Sequence, residues 1–169
     1  SNDTPTATAK GPLSVQRVHH SAVGNASHGY FAGGEVPGVT TKIDRVDYSN
    51  DTATAVEKGG ISVGRVQFKG ASAADNALSS KFIDAASNTG VDRVPVGTDY
   101  GYFGGGSNVV STVDRIDYSN DTQTASVKGP LTSNRRNLAA VSNASYGYFG
   151  GGYDPGYVSN VDRIEYASD

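Results

Sequence analysis

The 169-residue sequence predicts an all-β protein built from tandem four-stranded sheets. The main observation is a string of two aromatic residues and glycines, GYFGGG, which occurs at residues 101–106 and 147–152 and, as GYFAGG, at residues 29–34. The composition agrees, because Gly, Ser, Thr, Asn and Asp favour turns while only 36% of the residues are hydrophobic. Short strands separated by many turns follow from this mixture.

Two further strings accompany the glycine string and define a repeat. VDRIDYSNDT at residues 113–122 has counterparts after the other two glycine strings, and a string that begins with Lys-Gly and ends with Arg recurs at residues 10–17, 58–65 and 128–135. The three predicted repeat units cover approximately residues 1–48, 49–118 and 119–169.

The spacing of one tyrosine shows that the middle unit is longer than the last. Tyr118 and Tyr166 are 48 residues apart, whereas Tyr48 and Tyr118 are 70 residues apart. The middle unit therefore carries an insertion of 22 residues, placed by the repeat pattern near residues 69–100.

Each unit contains four strand-sized runs separated by turn-forming residues. In the last unit the runs are RNLAAVS, ended by a turn at Asn143, then YGYFGG and NVDRIEY, while TQTASVK forms the outer fourth strand before a Gly-Pro stop. Four short strands in every repeat of about 45–50 residues are typical of a β-propeller, in which each blade is one twisted sheet. A β-solenoid is the alternative, but its repeat is usually shorter. Residues 1–169 are predicted to be one propeller segment with about three blades' worth of strands.

These strings resemble the Kelch repeat family. Kelch repeats have a hydrophobic strand ending in a glycine pair, a strand with a Tyr near its end, a turn, an outer strand and a P-x-x-R-like connector. GYFGGG, VDRIDYSNDT and GPLTSNRR occupy these places, and the similarity covers nearly the whole chain outside the insertion. The chain departs from the family in having no Trp, which Kelch repeats usually carry on the outer strand. It resembles Kelch-like variants of marine bacterial and phage-derived sequences.

The aromatic residues of the glycine strings are predicted to pack the blades together. Inner strands of a propeller crowd toward the axis, where glycine allows close approach or positive φ and aromatic rings supply apolar area. The aromatic residues concerned are Tyr30, Phe31, Tyr102, Phe103, Tyr148 and Phe149. A ligand-binding use of the three tyrosines is the less favoured alternative.

The third strand of every unit carries an Arg two residues before a carboxylate. Side chains two residues apart share one face of a strand, so we expect them to pair or to bridge to the next blade. The residues are Arg45, Asp47, Arg115, Asp117, Arg163 and Glu165, preceded by Asp44, Asp114 and Asp162. Calcium binding and acid–base chemistry are the alternatives. Structural pairing is favoured, and no metal site is predicted, because an enzyme builds one site whereas this pattern recurs in every unit.

The order of the strands predicts that the chain is not a closed monomer. Residues 1–4 match the turn before a fourth strand, and the chain ends with a third strand at Tyr166. A propeller needs at least about four blades, so we expect either that other chains complete the ring by exchanging strands, two chains giving about six blades, or that the chain is a segment of a longer array. The absence of Met also suggests a processed product or a piece of a longer polypeptide.

The insertion has two interpretations. SAADNALSSKFIDAAS contains helix-forming residues, with Leu78 and Phe82 four residues apart and Ser72 as a candidate N-cap. KFIDAASNTGVDRVPVGTD is alternatively an eroded second and third strand, because VDRV resembles VDRI. A loop with a short helix is favoured, and long insertions in repeat proteins commonly carry function.

The composition argues against several classes of function. The chain has no Cys and no G-x-S-x-G string, which leaves no disulfide, no thiolate metal site and no recognisable nucleophile. A net charge of −3 argues against a nucleic-acid groove, and the short apolar runs predict no membrane span. His19, His20 and His28 are expected to pack or to lie on the surface, because adjacent residues of a strand point to opposite faces. We therefore predict no enzymatic activity and no cofactor.

Two classes of function remain for a protein of this kind, which is expected outside the cell or on a virion surface. The favoured one is a non-catalytic module for assembly and adhesion that self-associates as a homo-oligomer or repeat array. The alternative is a lectin-like propeller that binds a glycan or a cell-surface ligand, with Tyr153, Asp154 and Tyr157 as a sugar platform. A degenerate propeller hydrolase is a further, weaker alternative.

Five asparagines fit the N-glycosylation pattern. They are Asn2, Asn25, Asn50, Asn120 and Asn143. Hydrogen bonds from Asn side chains that stabilise turns explain the same residues and are the favoured interpretation.

Overall fold

The computed structural model describes residues 7–73, 100–107 and 110–169, and within them the protein is all-β, as predicted. The described strands form three antiparallel sheets of four, four and three strands. The strands are β1 Ser21–Gly24, β2 His28–Ala32, β3 Lys42–Asp47, β4 Val56–Gly60, β5 Lys69–Ser72, β6 Tyr100–Gly104, β7 Val113–Asp117, β8 Ser126–Lys128, β9 Ala139–Ser142, β10 Tyr146–Gly150 and β11 Val161–Glu165.

Each sheet is a meander, in which strands that follow one another along the chain are hydrogen-bonded neighbours. The first sheet has the order β1-β2-β3-β4, the second β5-β6-β7-β8 and the third β9-β10-β11. The second and third strands pair in the same register in all three sheets. The residues that face each other include Tyr30 and Arg45, Tyr102 and Arg115, and Tyr148 and Arg163. Repeated sequence has therefore produced repeated backbone geometry.

The insertion interrupts the hairpin turn between β5 and β6. In the first sheet the same turn is closed by a hydrogen bond from Asn25 N to His28 O at 3.0 Å. Ala73 N donates to Tyr100 O at 2.9 Å, so the hairpin of the second sheet closes at the equivalent place. The insertion thus leaves the pairing of β5 with β6 intact.

The first residues of the predicted insertion form a strand. Lys69 to Ser72 form β5, the first strand of the second sheet, and Ser72 is its last residue. The predicted short helix with Leu78 and Phe82, and the alternative eroded strands, lie outside the described residues.

The glycine pair after each second strand adopts a backbone that other residues avoid. Gly105 and Gly106 have φ of 70° and 135°, in the left-handed region that favours glycine. The equivalent pairs are Gly33–Gly34 and Gly151–Gly152, all with positive φ. A Cβ at Gly105 would lie 2.6 Å from Arg135 O, and Gly106 N donates to that oxygen at 2.9 Å. Because these glycines have no side chain, the backbone of the following connector can pack closely against them.

Two apolar clusters lie between successive sheets. The cluster between the first and second sheets contains Val23, Tyr30, Ala32, Ile43, Ile61, Phe68, Phe103, Ile116 and Tyr118. The cluster between the second and third contains Ala71, Ala73, Tyr102, Val113, Leu131, Leu138, Phe149 and Tyr166. The first strands of neighbouring sheets also contact each other, β1 with β5 and β5 with β9. Burial of these aromatic and aliphatic side chains between the sheets thus stabilises the fold.

The prediction that the adjacent histidines lie on a strand is wrong. β1 begins at Ser21, and His19 has a φ of 56° in a tight turn before it. Gln67 and Asn137 have the same conformation at the equivalent positions, with φ of 61° and 55°. All three connectors thus share this conformation shortly before the first strand, and it interrupts the extended pattern. Among the described residues no helix has the length and apolar character to cross a membrane.

Candidate functional site

A buried arginine of each connector holds the aspartate at the start of the third strand. Arg65 Nη1 lies 2.7 Å from Asp114 Oδ2, and Arg65 Nη2 donates to Phe103 O at 2.8 Å. Burial lowers the pKa of Arg65, while the charge of Asp114 opposes this shift. The equivalent ion pairs are Arg17–Asp44 at 2.9 Å and Arg135–Asp162 at 2.5 Å. The aspartates considered above for acid–base chemistry are thus paired with structural arginines.

A second group of charges joins the first sheet to the second. Asp121 lies in the turn after β7 and accepts a hydrogen bond from Arg45 Nη1 at 2.8 Å and from the Tyr30 hydroxyl at 3.2 Å. Lys58 Nζ is 3.3 Å from the other oxygen of Asp121. All three donors belong to the first sheet. A carboxylate of one sheet is therefore enclosed by tyrosine, arginine and lysine side chains of the preceding sheet.

The same group recurs between the second and third sheets. Arg115 Nη1 lies 2.8 Å from Asp169 Oδ1, and Lys128 Nζ lies 3.9 Å from Asp169 Oδ2. Burial, together with the charge of Asp169, raises the pKa of Tyr102, which faces Arg115 across the strands. The same arrangement thus occurs twice within the chain, as expected if it follows from the repeated sequence.

An aromatic stack accompanies each of these charge groups. Tyr30 of the first sheet stacks on Tyr118 of the second, with ring centroids 4.9 Å apart and planes inclined by 19°. Tyr102 of the second sheet stacks on Tyr166 of the third at 4.9 Å and 16°. We call the whole arrangement the sheet joint: a donor half with Tyr, Arg and Lys on one sheet, and an acceptor half with Tyr and Asp on the next.

Backbone hydrogen bonds complete the first sheet joint. Gly59 N in β4 donates to Asp121 O at 2.8 Å, and Ala125 N donates to Gly60 O at 2.7 Å. The fourth strand of one sheet is thereby fixed to the turn of the next. Side chains and backbone both contribute to the contact.

An acceptor half is open at the first sheet. Tyr48, the counterpart of Tyr118, is 52% exposed, whereas Tyr118 is 8% exposed. Asp51, the counterpart of Asp121, pairs only with Lys10 among the described residues, at 3.2 Å, and its side chain is 40% exposed.

Lys10, Gly11 and Pro12 bind to this acceptor half, although the predicted fourth strand of the first unit joins none of the described sheets. Gly11 N donates to Asp51 O at 2.8 Å, and Ala55 N donates to Pro12 O at 2.9 Å. These bonds repeat those that fix β4 to the second sheet. Gly11 and Pro12 therefore take the positions on the first sheet that Gly59 and Gly60 take on the second.

A donor half is open at the third sheet. Tyr148, the counterpart of Tyr30 and Tyr102, is only partly buried, and Arg163 is exposed with no acidic partner in the described part of the chain. The Arg163 guanidinium lies 4.5 Å from the centroid of the Tyr146 ring, which holds it near the position that Arg115 occupies over Tyr100.

The carboxylates two residues after the arginines have another role. Asp47 Oδ1 accepts from Ser49 N at 2.8 Å, and Asp117 Oδ1 accepts from Ser119 N at 2.9 Å. Each caps a short 3-10 turn, at residues 48–50 and 118–120, so the third strand ends there. Of the two expected arrangements, Arg45 and Arg115 therefore bridge to the next sheet, and Asp47 and Asp117 turn the chain. Glu165 is exposed at the end of β11.

The two tyrosines proposed as a sugar platform lie beside a cleft on the third unit. The rings of Tyr153 and Tyr157 meet edge to face at 5.8 Å and 80°, and Tyr157 is 96% exposed. The Arg136 guanidinium lies 5.3 Å from the Tyr153 centroid, and the three residues line a cleft of about 450 Å³. Asp154 lines a second cleft of about 340 Å³, which shares Tyr153 and Arg136 with the first. Arg136 was not singled out in the sequence.

The described sequon asparagines lie in turns. Asn25 Oδ1 accepts from Ser27 N and His28 N, both at 2.9 Å. Asn143 Oδ1 makes the equivalent pair of hydrogen bonds in the third sheet, also at 2.9 Å. Asn50 and Asn120 are exposed in the 3-10 turns. Asn2 lies outside the described residues.

The stacked tyrosines predict a loss of stability at alkaline pH. Burial raises the pKa of Tyr166 to about 12, and burial also raises the pKa of Tyr30, Tyr102 and Tyr118. The pKa of a tyrosine in the unfolded chain is about 10, so the folded state holds the phenol protons more tightly than the unfolded state does. The stabilisation that the protonated tyrosines give the folded state is complete below about pH 10. It decreases as pH rises toward their pKa values in the folded state.

We therefore expect the denaturant midpoint to fall as pH is raised above about 10, and phenolate absorbance to report late titration of the buried rings. Tyr166→Phe should weaken this pH dependence, because it removes one such group while keeping its ring. A midpoint that is constant up to the alkaline limit of the folded protein would contradict the prediction.

The fold and the joints define a repeat protein whose sheets are connected by one recurring contact. The chain matches no protein-family model and no curated protein sequence. No cluster of three His, Asp or Glu residues suited to a metal ion occurs in residues 7–73, 100–107 and 110–169. The groups that the sequence interpretation overlooked are Lys58, Lys128, Asp121 and Asp169. Recurrence of the lysine at a fixed place in each unit was the available signal.

Proposed function

We propose that the chain is a non-catalytic, Kelch-like β-propeller segment that serves assembly and adhesion outside the cell or on a virion surface. Meandering sheets whose first strands contact one another support a radial arrangement. The repeated strings support the Kelch-like assignment. The degenerate hydrolase is the less favoured alternative, because the third-strand carboxylates are held by buried arginines.

The open halves of the sheet joint carry the assembly proposal. The acceptor half at Tyr48 and Asp51 and the donor half at Tyr148 and Arg163 have the chemistry that is already joined twice within the chain. Exposed aromatic area of this kind is typical of an interaction surface. A protein with both halves exposed is suited to self-association.

Native mass spectrometry of the full chain over a range of concentrations tests the proposal. We expect a species of at least twice the 17.4 kDa chain mass at micromolar concentration. A single-chain mass at every concentration, up to the solubility limit, would refute self-association.

Glycan recognition is the second candidate function, and the cleft beside Tyr153 and Tyr157 favours it. Aromatic faces and a nearby charged group are the surface that sugar rings stack on and hydrogen-bond to. The corresponding loop of the first unit carries Glu35 and Val39 at these two places and has the same bridge pattern. The loops of the first and third units thus share a backbone pairing and differ in the side chains at these two positions.

A glycan array tests this second candidate. Binding should disappear in Tyr157→Val, which reproduces the residue of the first unit, and should persist in Val39→Ala as the matched control. Equal binding by both variants, or none by the unaltered chain, would exclude this loop as the glycan site.

A further inference from the structure

We propose that the third sheet of one copy binds the first sheet of a second copy through the sheet joint that connects neighbouring sheets inside the chain. The inference rests on the proposed assembly function and names its partner, a second copy of this chain, and its surface. Four independent features of the two open halves agree with this pairing: charge, aromatic stacking, apolar exposure and an unpaired strand edge.

The charges of the two halves are complementary. Asp51 already has its lysine, Lys10 at 3.2 Å, which is close to the corresponding lysine distance of 3.3 Å in the first internal joint. Among the described residues, Asp51 has neither the arginine nor the tyrosine that enclose Asp121. Arg163 and Tyr148 of another copy would supply both groups. The ligand of the open donor half is therefore a carboxylate presented by a turn.

The aromatic and apolar groups of the two halves also correspond. Tyr48 at one end and Tyr148 at the other are the counterparts of the rings that stack at 4.9 Å in both internal joints. Val161 is 63% exposed on β11, whereas its counterpart Val113 is fully buried, at 0% exposure. Val141 is 68% exposed on β9, where the counterpart in the first sheet is buried. A second copy would cover this face as the next sheet covers it internally.

The free edge of β11 receives a strand in the same arrangement. β7 pairs with β8 so that Val113 faces Lys128. Residues 7–10 are exposed and pair with no strand of a described sheet. Gly11 and Pro12, which follow them, are hydrogen-bonded to the first sheet's turn as Gly59 and Gly60 of β4 are to the turn of the second sheet. By the same register, Lys10 of the second copy would face Val161. This pairing would cover an otherwise open edge.

The contact is directional, because it joins two different surfaces. Repeating a heterologous contact gives either a closed ring or an open filament. Propellers have about four to eight sheets, and two copies of the three described sheets bring six. We therefore expect a closed pair in which each copy uses both of its halves.

Arginine variants separate this contact from the internal joints. Arg163→Ala should weaken the dissociation constant of the assembly by about tenfold or more, with an unchanged unfolding midpoint for the dissociated chain. Arg45→Ala is the matched control: the same residue type in an internal joint, whose loss should lower the unfolding midpoint without affecting association. Analytical ultracentrifugation and thermal unfolding of both variants provide the two measurements.

Cysteine cross-linking gives the orientation, and the absence of native Cys makes it unambiguous. The double variant Lys10→Cys, Val161→Cys should form disulfides between copies on oxidation, because facing residues of antiparallel strands lie within disulfide distance. Lys128→Cys with Val113→Cys is the matched control and should cross-link within one chain.

The outcomes distinguish this proposal from the proposed function. An assembly that forms but is unaffected by Arg163→Ala and does not cross-link residue 10 to residue 161 leaves the assembly function standing and overturns the sheet joint as its contact. Cross-linking of Val161→Cys alone would indicate a symmetric contact and would also overturn it. A chain that remains single at all concentrations overturns both, because the open halves then take something other than a second copy.

Discussion

Asp114→Ala is expected to lower the free energy of unfolding by about 3–5 kcal/mol, because removing one partner of a buried ion pair leaves the other charge without compensation. Arg65 and Asp114 are both almost fully buried, and their charged atoms are 2.7 Å apart. The guanidinium also donates to Phe103 O, so it cannot move to water without losing a buried hydrogen bond. Urea unfolding of the variant and the unaltered chain measures the difference.

An exposed pair on the same molecule is the control for this prediction. Lys42 and Glu57 form an ion pair across β3 and β4, with both side chains more than two fifths exposed. Glu57→Ala should change stability by about 0–1 kcal/mol, since solvent screens such pairs. If Asp114→Ala costs no more than Glu57→Ala, the buried pair does not hold the third strand to its connector.

Gly59→Ala is expected to destabilise the contact between the first two sheets by about 1–3 kcal/mol or more, the usual range for overpacking. A Cβ at Gly59 would lie 1.8 Å from Gln123 O and 2.5 Å from its carbonyl carbon, and both are backbone atoms. The turn at Asp121 would have to move away, which breaks the hydrogen bond from Gly59 N. Thermal unfolding measures the effect.

Gly129→Ala is the matched control, because Gly129 follows a lysine in the same repeated string and a Cβ there meets nothing within 4 Å in the described residues. Neither glycine has a positive φ, so the comparison isolates steric contact. We expect Gly129→Ala to be neutral, or to stabilise the protein by about 0.4–1 kcal/mol, because alanine reduces the conformational entropy of the unfolded chain. Equal destabilisation by both substitutions would contradict the role given to the joint.

Some features of the fold could be predicted from local pattern. Strand identity followed from β-branched and aromatic runs, and their ends followed from residues such as Asn25 and Asn143, whose side chains bond the turn that they begin. The turn before β1 could not, because His19 adopts a positive φ, which residues other than glycine adopt rarely. Local propensity favours one conformation there, and tertiary contact selects another.

The candidate site was less predictable than the fold. Tyr30, Arg45 and their repeats were recognisable as recurring residues, but their partner Asp121 is 76 residues from Arg45. Arg136 beside Tyr153 has no repeated aromatic partner and gave no signal of its own. Pairing between residues so distant in sequence depends on how the sheets stack, which a single sequence does not specify.

By itself, the sequence determined an all-β chain and the order in which its strand-sized runs follow one another, because turn residues and β-propensity act over a few neighbouring residues. The tertiary structure alone decided which charges meet, which tyrosines stack and which halves of the sheet joint remain exposed. These depend on contacts between sheets, where burial and long-range geometry, and not local preference, determine the free energy.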